Sequence, residues 1–294
     1  MIEFSGLSEA GPVREDNQDA LVLPDGTCPP GAGRVGSPPE KIGNAQADHI
    51  EDGPPGHWIP APGPDAPGAL FALADGMGGY AHGDLASRLA LQTLWNTYFD
   101  DKRGKTTSTL RRGVEAANLA VLAAAREMGV TRMGSTLTAG VIEGQSLHMA
   151  HIGDARAYLV RGGAAAQLTQ DHSVVGDLLR MRVLRAEQVR THARRSVLTR
   201  AVGLNLFPQP DVFSLTLQPG DWVVLCTDGV WSVVEDDEFA RHACAAESAA
   251  ALCRALLDLA LARQTDDNVS ALAVRVKALP EEKKNGKISK RWFF

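Results

Sequence analysis

Five aspartates stand at the ends of apolar runs typical of strands, and their residue type and placement suit metal chemistry. They are Asp19 before ALVL, Asp75 after LFALA, Asp154 after HMAHIG, Asp228 after VVLCT and Asp267 before NVSALAV. A carboxylate beside a buried strand is held rigidly, and five such groups brought together could not stay ionised without cations. Oxygen ligands without paired Cys and His favour hard ions such as Mg²⁺ or Mn²⁺ over zinc.

Each aspartate taken singly has a simpler explanation, because Asp at a strand end commonly caps a turn. Three of the five have a glycine neighbour, however: Gly76, Gly153 and Gly229. Glycine lets the backbone approach a bound ion or phosphate and adopt a positive φ. The repeated pairing of aspartate with glycine therefore favours a shared site over five unrelated turns.

The segments around these aspartates predict which elements position them. Apolar residues recur at helical spacing over residues 84–100 and again over 110–124, which predicts two adjacent amphipathic helices. Residues 134–160 form short apolar pieces separated by Glu-Gly and Gly-Asp turns, which predicts three consecutive antiparallel strands. A further helix is predicted from Ser248 to about Arg263. Strands grouped with strands and helices with helices indicate an α+β fold, not a doubly wound parallel sheet.

Composition excludes several classes of protein. The net charge is −5 and no long basic stripe is present, which argues against binding to nucleic acid. No run of about 18 apolar residues exists, and the first ten residues lack a basic flank and a hydrophobic signal segment. We therefore expect a cytoplasmic protein without membrane contact. The four cysteines form no CxxC pair, so we expect buried thiols and neither disulfides nor a zinc site.

Two changes in composition divide the chain. Residues 24–67 hold eleven of the 16 prolines and eight glycines with almost no hydrophobic periodicity, which predicts an irregular inserted loop. His49, His57 and Trp58 within it are expected to be ordinary loop residues. After residue 276 the chain becomes polar and basic up to a final Trp-Phe-Phe, which is typical of a solvated tail. We therefore predict one domain at 1–276 and a tail at 277–294.

Eight ordered segments of the chain resemble the signature blocks of the bacterial metal-dependent protein phosphatases of the PP2C (PPM) family. The resemblance runs from about residue 5 to 276, interrupted by the insertion. Any one block alone would be weak evidence, whereas eight in the right order are specific. The blocks are REDNQD (14–19), ADGMGG (74–79), MGSTLTAG (133–140), HIGDARAYLV (151–160), LTQDHS (168–173), LTRAVG (198–203), CTDGVW (226–231) and TDDNVS (265–270).

The resemblance implies a four-layer α-β-β-α sandwich, with two central, mainly antiparallel sheets flanked by helices. It also implies a pair of Mn²⁺ or Mg²⁺ ions at one end of the sheets, with a third, weaker ion held by Asp154 and Asp228. Arg14 matches the arginine that binds substrate phosphate, and Asp266 and Asn268 would support the neighbouring ligand. The ligands of the main pair implied by motif position are Asp19, Asp75, Gly76 through its carbonyl, Asp228 and Asp267.

The family's chemistry implies direct attack on phosphorus by a water that two ions activate, with the phosphate charge offset by Arg14. Substrates would be phosphorylated Ser/Thr proteins, and the partners a cognate bacterial kinase and its targets; we expect a monomer. Met77 stands where eukaryotic relatives often carry a histidine proposed as the leaving-group acid. His151 and His172 are available for that role, but a structural role is the expectation for each.

The segment 171–200 is rich in arginine and is predicted to be helical, and the family resemblance implies that it forms a flap beside the site. Arg194 and Arg195 in it could receive an acidic or phosphorylated segment of a partner. The simpler expectation for most arginines of the segment is a solvated face.

Two other classes of function compete with the phosphatase interpretation. A catalytically silent relative could bind phosphoproteins without hydrolysing them, but such a scaffold should lack some ligands, and all the matched aspartates are present. Alternatively, the carboxylates could serve a metal-dependent phosphodiesterase on an unrelated fold, which the block order disfavours and the fold would decide.

Overall fold

The computed structural model describes residues 1–28, 57–59, 68–77, 82–101 and 104–280, with only the backbone described at 57–59. The strands are β1 (Ile2–Glu9), β2 (Asp19–Val22), β3 (His57–Ile59), β4 (Ala69–Asp75), β5 (Leu137–Glu143), β6 (Ser146–Ile152), β7 (Arg156–Arg161), β8 (Ala164–Gln167), β9 (Asp211–Thr216), β10 (Trp222–Cys226) and β11 (Val269–Val276). The helices are α1 (Gly83–Asp100), α2 (Thr106–Glu127), α3 (Val174–Arg180), α4 (Ala186–Val189), α5 (Asp228–Trp231), α6 (Asp236–Ala245) and α7 (Ala249–Ala262).

The described strands form two antiparallel sheets. A six-stranded sheet has the order β3-β1-β11-β10-β7-β8, and a five-stranded sheet has the order β2-β4-β5-β6-β9. Alternating side chains of a strand serve two different layers, as the pleat requires. In β4, Leu70, Ala72 and Ala74 pack under α1 and α2, whereas Phe71 and Leu73 pack between the sheets.

The other sheet is covered on its outer face by α6 and α7, so that the layers run helix, sheet, sheet, helix. Val269, Ala271 and Ala273 of β11 pack under these helices, and Leu272 and Val274 face the core between the sheets. This architecture confirms the predicted α-β-β-α sandwich. The arrangement makes both sheets buried on both faces, which explains why β4 and β11 read as almost continuous apolar runs.

The helices that the sequence predicts are present with small shifts at their ends. α1 and α2 cover the first two predicted helical segments, and α7 begins where Ser248 Oγ accepts a hydrogen bond of 3.1 Å from the Ala251 N–H. The flap at 171–200 contains only the short helices α3 and α4 joined by turns, so the prediction of a helical stretch is correct for part of it. Arg182 in this segment has φ +59°, a left-handed conformation that interrupts a helix.

The segment at 24–67 leaves the core at the end of the sheets remote from the aspartates. β2 begins at Asp19 and runs to Val22, which pairs with Ala72 of β4. Within the segment, β3 pairs with the first residues of β1, with Ile59 opposite Ile2. The prediction of irregular backbone is therefore wrong for these three residues. His49 and the rest of 29–56, residues 60–67 and the tail at 281–294 lie outside the described residues.

Candidate metal centre

Two of the aspartates face each other across a pair of strands. β2 begins with Asp19 and β4 ends with Asp75, and the register places these two residues directly opposite. Directly opposed residues of antiparallel strands have Cα atoms about 4.5–5.5 Å apart. Beside them the Gly76 N–H donates to the Gln18 carbonyl at 3.1 Å. A Cβ at Gly76 would lie 2.1 Å from the Gly83 carbonyl oxygen, so a side chain there has no space.

Two more aspartates come from neighbouring strands of the other sheet. β10 pairs with β11, with Cys226 opposite Ala271, so the end of β10 lies beside the start of β11. Asp228 and Asp267 flank this junction. A Cβ at Gly229 would lie 1.9 Å from the Asn268 carbonyl oxygen, and glycine is therefore what lets the two segments meet.

The fifth aspartate, Asp154, lies in the turn between β6 and β7. It follows Gly153, whose φ of +115° L side chains rarely adopt. The indole Nε1–H of Trp231 donates to the Asp154 carbonyl at 2.9 Å. Arg156 lies over the Trp231 ring, with its guanidinium carbon 3.7 Å from the ring centroid. It also binds Asp171 through two nitrogens, at 3.0 and 2.8 Å. This chain of contacts joins the Asp154 turn to the start of the flap.

Four of the five carboxylates have raised pKa values, and the charge of Asp267 adds to the repulsion at Asp19, Asp75 and Asp228. Burial, together with mutual repulsion, raises the pKa of Asp19 and of Asp228 to about 7. The same causes raise the pKa of Asp75 and that of Asp154 well above the ordinary value. At Asp75, the pKa is raised by burial and also by repulsion from the other carboxylates, which are Asp19, Asp228, Asp154 and Asp267. The structure therefore brings together the residues that the sequence predicts to converge.

The chemistry of the donors fits a divalent cation. Asp19 is 2% exposed, and its Oδ1 atom is buried without a hydrogen-bond partner. Leaving a carboxylate oxygen in that condition is unfavourable unless a cation or a proton binds it. In the described part of the chain, no group of three or more His, Cys, Asp or Glu side chains is arranged to hold a metal ion.

Asn268 ties the N-terminal loop to the start of β11. Its Nδ2 donates to the carbonyls of Ala10 and Asp16, both at 2.9 Å. Its Oδ1 accepts from the Gln18 N–H at 2.9 Å. The supporting role predicted for Asn268 thus has a structural basis. Asp266, in contrast, is 73% exposed, and its Oδ2 lies 3.6 Å from Arg195 Nη2 of the flap.

Arg14 lies at the edge of the cluster. Its Nη2 donates to Asp267 Oδ2 at 2.7 Å, across 253 residues of sequence. Its side chain is 41% exposed, so solvent and substrate can reach it. For Arg14 taken alone, the sequence favours a surface salt bridge with the neighbouring Glu15 or Asp16; the structure instead pairs it with Asp267.

Both histidines near the site are occupied by structural contacts. His151 Nδ1 bonds Thr138 Oγ1 at 2.9 Å, and its Nε2 bonds the Gln170 carbonyl at 3.1 Å. Burial is the main cause that lowers the pKa of His151 to about 3. His172 Nδ1 accepts from the Gly153 N–H at 3.2 Å, while its Nε2 contacts Asp211 Oδ2 at 3.2 Å. The structural role expected for each histidine agrees with these contacts.

Comparison with known proteins decides the family. A family model described as Protein phosphatase 2C matches residues 55–269, which is well over half of the chain. The chain belongs to the protein phosphatase 2C family. It is accordingly an enzyme of the metal-dependent protein serine/threonine phosphatase class, which confirms the activity predicted from the sequence.

Individual relatives of this phosphatase agree with the family assignment. It is 34% identical to the serine/threonine phosphatase stp of Listeria welshimeri over 174 residues, 58% of this chain and 69% of that protein. Its fold is similar to that of the serine/threonine phosphatase PstP/Ppp of Mycobacterium tuberculosis, with a TM-score of 0.73, 28% identity, and coverage of 94% and 99% of the two chains. A structure of the PstP catalytic domain in complex with two manganese ions has a TM-score of 0.71, 27% identity, and coverage of 95% and 100%. No described helix of this phosphatase has the length and apolarity needed to cross a membrane.

Proposed function

We propose that this phosphatase hydrolyses phosphoserine and phosphothreonine monoesters of proteins at a centre of two Mn²⁺ or Mg²⁺ ions. The observation that carries the proposal is the unpartnered, buried Asp19 Oδ1 inside a group of mutually repelling carboxylates. The name of the Listeria relative supports the substrate class, and the PstP structure with two manganese ions supports the number of ions.

The proposed ligands come from both sheets, and the ions are therefore proposed to lie at the common end of the sheets. Asp154, together with Asp228, is proposed to hold a third, weaker ion. When bound, the ions supply positive charge and an activated water for direct attack on phosphorus. The proposed ligands of the main pair are Asp19, Asp75, the carbonyl of Gly76, Asp228 and Asp267.

Arg14 is proposed to orient the substrate phosphate. A guanidinium has five N–H donors, and the bond to Asp267 leaves others for phosphate oxygens. Its positive charge offsets the negative charge that develops on the equatorial oxygens of the phosphate in the transition state. Met77 has no proton to give to the leaving oxygen, and both ring nitrogens of His151 and of His172 already contact protein atoms. Neither histidine is therefore proposed as the leaving-group acid.

The proposal includes the finer assignments predicted from the sequence. We propose a domain at 1–276, a cognate Ser/Thr kinase with its targets as partners, and a monomeric enzyme. A catalytically silent phosphoprotein-binding relative is disfavoured because the five aspartates and Arg14 lie together at one end of the sheets.

Metal dependence is the first test of the proposal. Hydrolysis of a small aryl phosphate with Mn²⁺ should fall at least about 100-fold in EDTA and return when Mn²⁺ is restored, because activated water requires the ions. Asp19→Ala should show a similar loss in excess Mn²⁺, measured as phosphate release over time.

The matched control for Asp19→Ala is Asp25→Ala. Asp25 lies in the turn that follows β2, at the opposite end of that strand, where its Oδ1 accepts from the Thr27 N–H at 2.9 Å. This variant should keep the wild-type rate. Activity that is indifferent to both EDTA and Asp19→Ala would refute the proposed function.

The flap allows a second test, which concerns protein substrates. Arg195 contacts Asp266 beside the aspartates, whereas Arg194 is exposed. Burial raises the pKa of Asp228, and the positive charge of Arg195 opposes part of that shift. Arg195→Gln should reduce kcat/KM on a phosphoprotein about 2- to 5-fold more than on an aryl phosphate, as expected for an exposed ionic contact. Arg194→Gln, with the same change in charge, should have the smaller effect. Equal losses on both substrates for Arg195→Gln would count against a role in substrate recognition.

A further inference from the structure

The two oxygens of the Asp19 carboxylate have different surroundings. Oδ2 accepts from Ser270 Oγ at 2.5 Å and from Thr227 Oγ1 at 3.1 Å. Oδ1 is buried without a hydrogen-bond partner. A carboxylate held on one side by two hydroxyls cannot rotate freely, so its second oxygen is kept in one position.

The Ser270 hydroxyl is itself the end of a directional chain of hydrogen bonds. Ser8 and Ser270 are opposite each other in β1 and β11, with their Oγ atoms 2.7 Å apart. Because the single hydrogen of the Ser270 hydroxyl goes to Asp19, the Ser8 hydroxyl must donate to Ser270. Asn17 Nδ2 in turn donates to Ser8 Oγ at 2.7 Å. Such a chain polarises each successive donor and strengthens the last bond.

Thr227 adds a second fixed hydroxyl. Its Oγ1 accepts from the Ser270 N–H at 3.2 Å, which leaves its hydrogen for Asp19. Both Thr227 and Ser270 are fully buried. The two hydroxyls are therefore oriented by the sheet before any ion binds.

We infer that Ser270 and Thr227, with Ser8 and Asn17 behind them, are positioning residues that hold Asp19 with its Oδ1 available to an ion. This inference rests on the proposed function, because it assumes that Asp19 is a metal ligand. It extends that proposal by assigning the affinity of the site in part to hydroxyls that contact no ion and no substrate.

The test measures Mn²⁺ binding directly, by isothermal titration calorimetry on the full chain in the absence of substrate. Ser270→Ala should weaken the Mn²⁺ affinity about 10- to 100-fold, the usual effect of losing a group that orients a ligand. Thr227→Val, which keeps the shape but removes the hydroxyl, should weaken it about 10-fold. Ser8→Ala should have a smaller effect of about 2- to 3-fold, because it removes only the support of Ser270.

Rescue separates positioning from general damage to the fold. Ser270→Thr and Thr227→Ser each keep a hydroxyl and should bind Mn²⁺ within about 3-fold of the wild type, as expected if the hydroxyl is what orients the ligand. Thr169→Val is the matched control, since Thr169 is buried and its Oγ1 accepts from the Ala157 N–H at 3.1 Å in β7. Like Thr227→Val, Thr169→Val removes one buried threonine hydroxyl, but at a position away from Asp19, and it should leave the Mn²⁺ affinity unchanged.

Two outcomes distinguish this inference from the proposed function. If Asp19→Asn binds Mn²⁺ as the wild type does, Asp19 is not a ligand and the proposed function fails. If Asp19→Asn loses affinity while Thr227→Val and Ser270→Ala keep it, the positioning role is overturned. Should Ser270→Ala not fold, as judged by circular dichroism, the isosteric Thr227→Val decides the question.

Discussion

Asp228→Asn is expected to lower kcat/KM on an aryl phosphate by at least about 1,000-fold and, at the same time, to stabilise the metal-free protein. The loss of activity follows from its place among the proposed ligands, because catalysis by the ions requires their exact positions. The gain in stability follows because the substitution removes one charge from a set of carboxylates that repel one another, at a position where burial also disfavours the charge.

The pH dependence of this gain has a definite sign. The pKa of Asp228 is raised to about 7 in the folded protein, above the ordinary value near 4. The folded wild type therefore binds a proton that the unfolded chain has already lost, and its stability falls as the pH rises from about 4 to about 7. Holding Asp228 ionised at pH 8 costs the fold on the order of 4 kcal/mol. Asparagine carries no such cost.

Thermal unfolding in EDTA measures the effect. Asp228→Asn should raise the Tm by about 5–10 °C at pH 8, and the difference should shrink toward zero near pH 4. Asp237→Asn, at an exposed position on α6 paired with Arg241 at 3.3 Å, is the control and should change little. A lower Tm for Asp228→Asn than for the wild type at pH 8 would show that repulsion does not dominate this site.

Gly229→Ala is expected to damage both stability and activity. A Cβ at this position would meet the backbone oxygen of Asn268 at 1.9 Å, so the start of α5 and the start of β11 must separate. Overpacking of this kind costs about 2–3 kcal/mol. Because Asp228 and Asp267 flank the contact, a displacement of about 1 Å should also lower kcat/KM on the order of 100-fold.

Gly113→Ala in α2 is the matched control for this substitution. Its Cβ would come closest to the end of the Leu94 side chain, at 2.5 Å, and the nearest backbone atom, Leu94 Cα, would lie at an ordinary contact distance of 3.7 Å. Alanine also favours a helix interior over glycine. This variant should keep wild-type activity and unfold near the wild-type temperature. Wild-type Tm and activity for Gly229→Ala would contradict the close contact between the two segments.

The site was more predictable from the sequence than the contacts that hold it. Each aspartate follows or precedes a strongly apolar strand, a local pattern, and the register that places Asp19 opposite Asp75 is a consequence of those strands pairing. Ser8, Ser270 and Thr227 carry no such signal, since a hydroxyl within an apolar run looks like an ordinary strand residue. Only the pairing of β1 with β11 brings Ser8 and Ser270 together.

Among the elements that the sequence did not predict, β8 and β9 lack a fully buried residue, and α6 is short and polar on average. β8 consists of Ala164–Gln167, whose side chains are exposed or half-buried. α6 begins with three acidic residues and buries only part of its surface. Such segments take their structure from a neighbouring strand or helix more than from their own sequence.

The placement of residues 24–67 makes this connection between β2 and β4 a suitable position for inserting an additional domain. Leu23 and Gly68 lie at the end of β2 and β4 that is remote from Asp19 and Asp75, so chain length between them can change without altering the geometry of catalysis. Doubling the length of a flexible connection costs only about 0.6 kcal/mol. A sensor or targeting domain could therefore be inserted between β2 and β4, and catalysis at the other end of these strands would be unaffected.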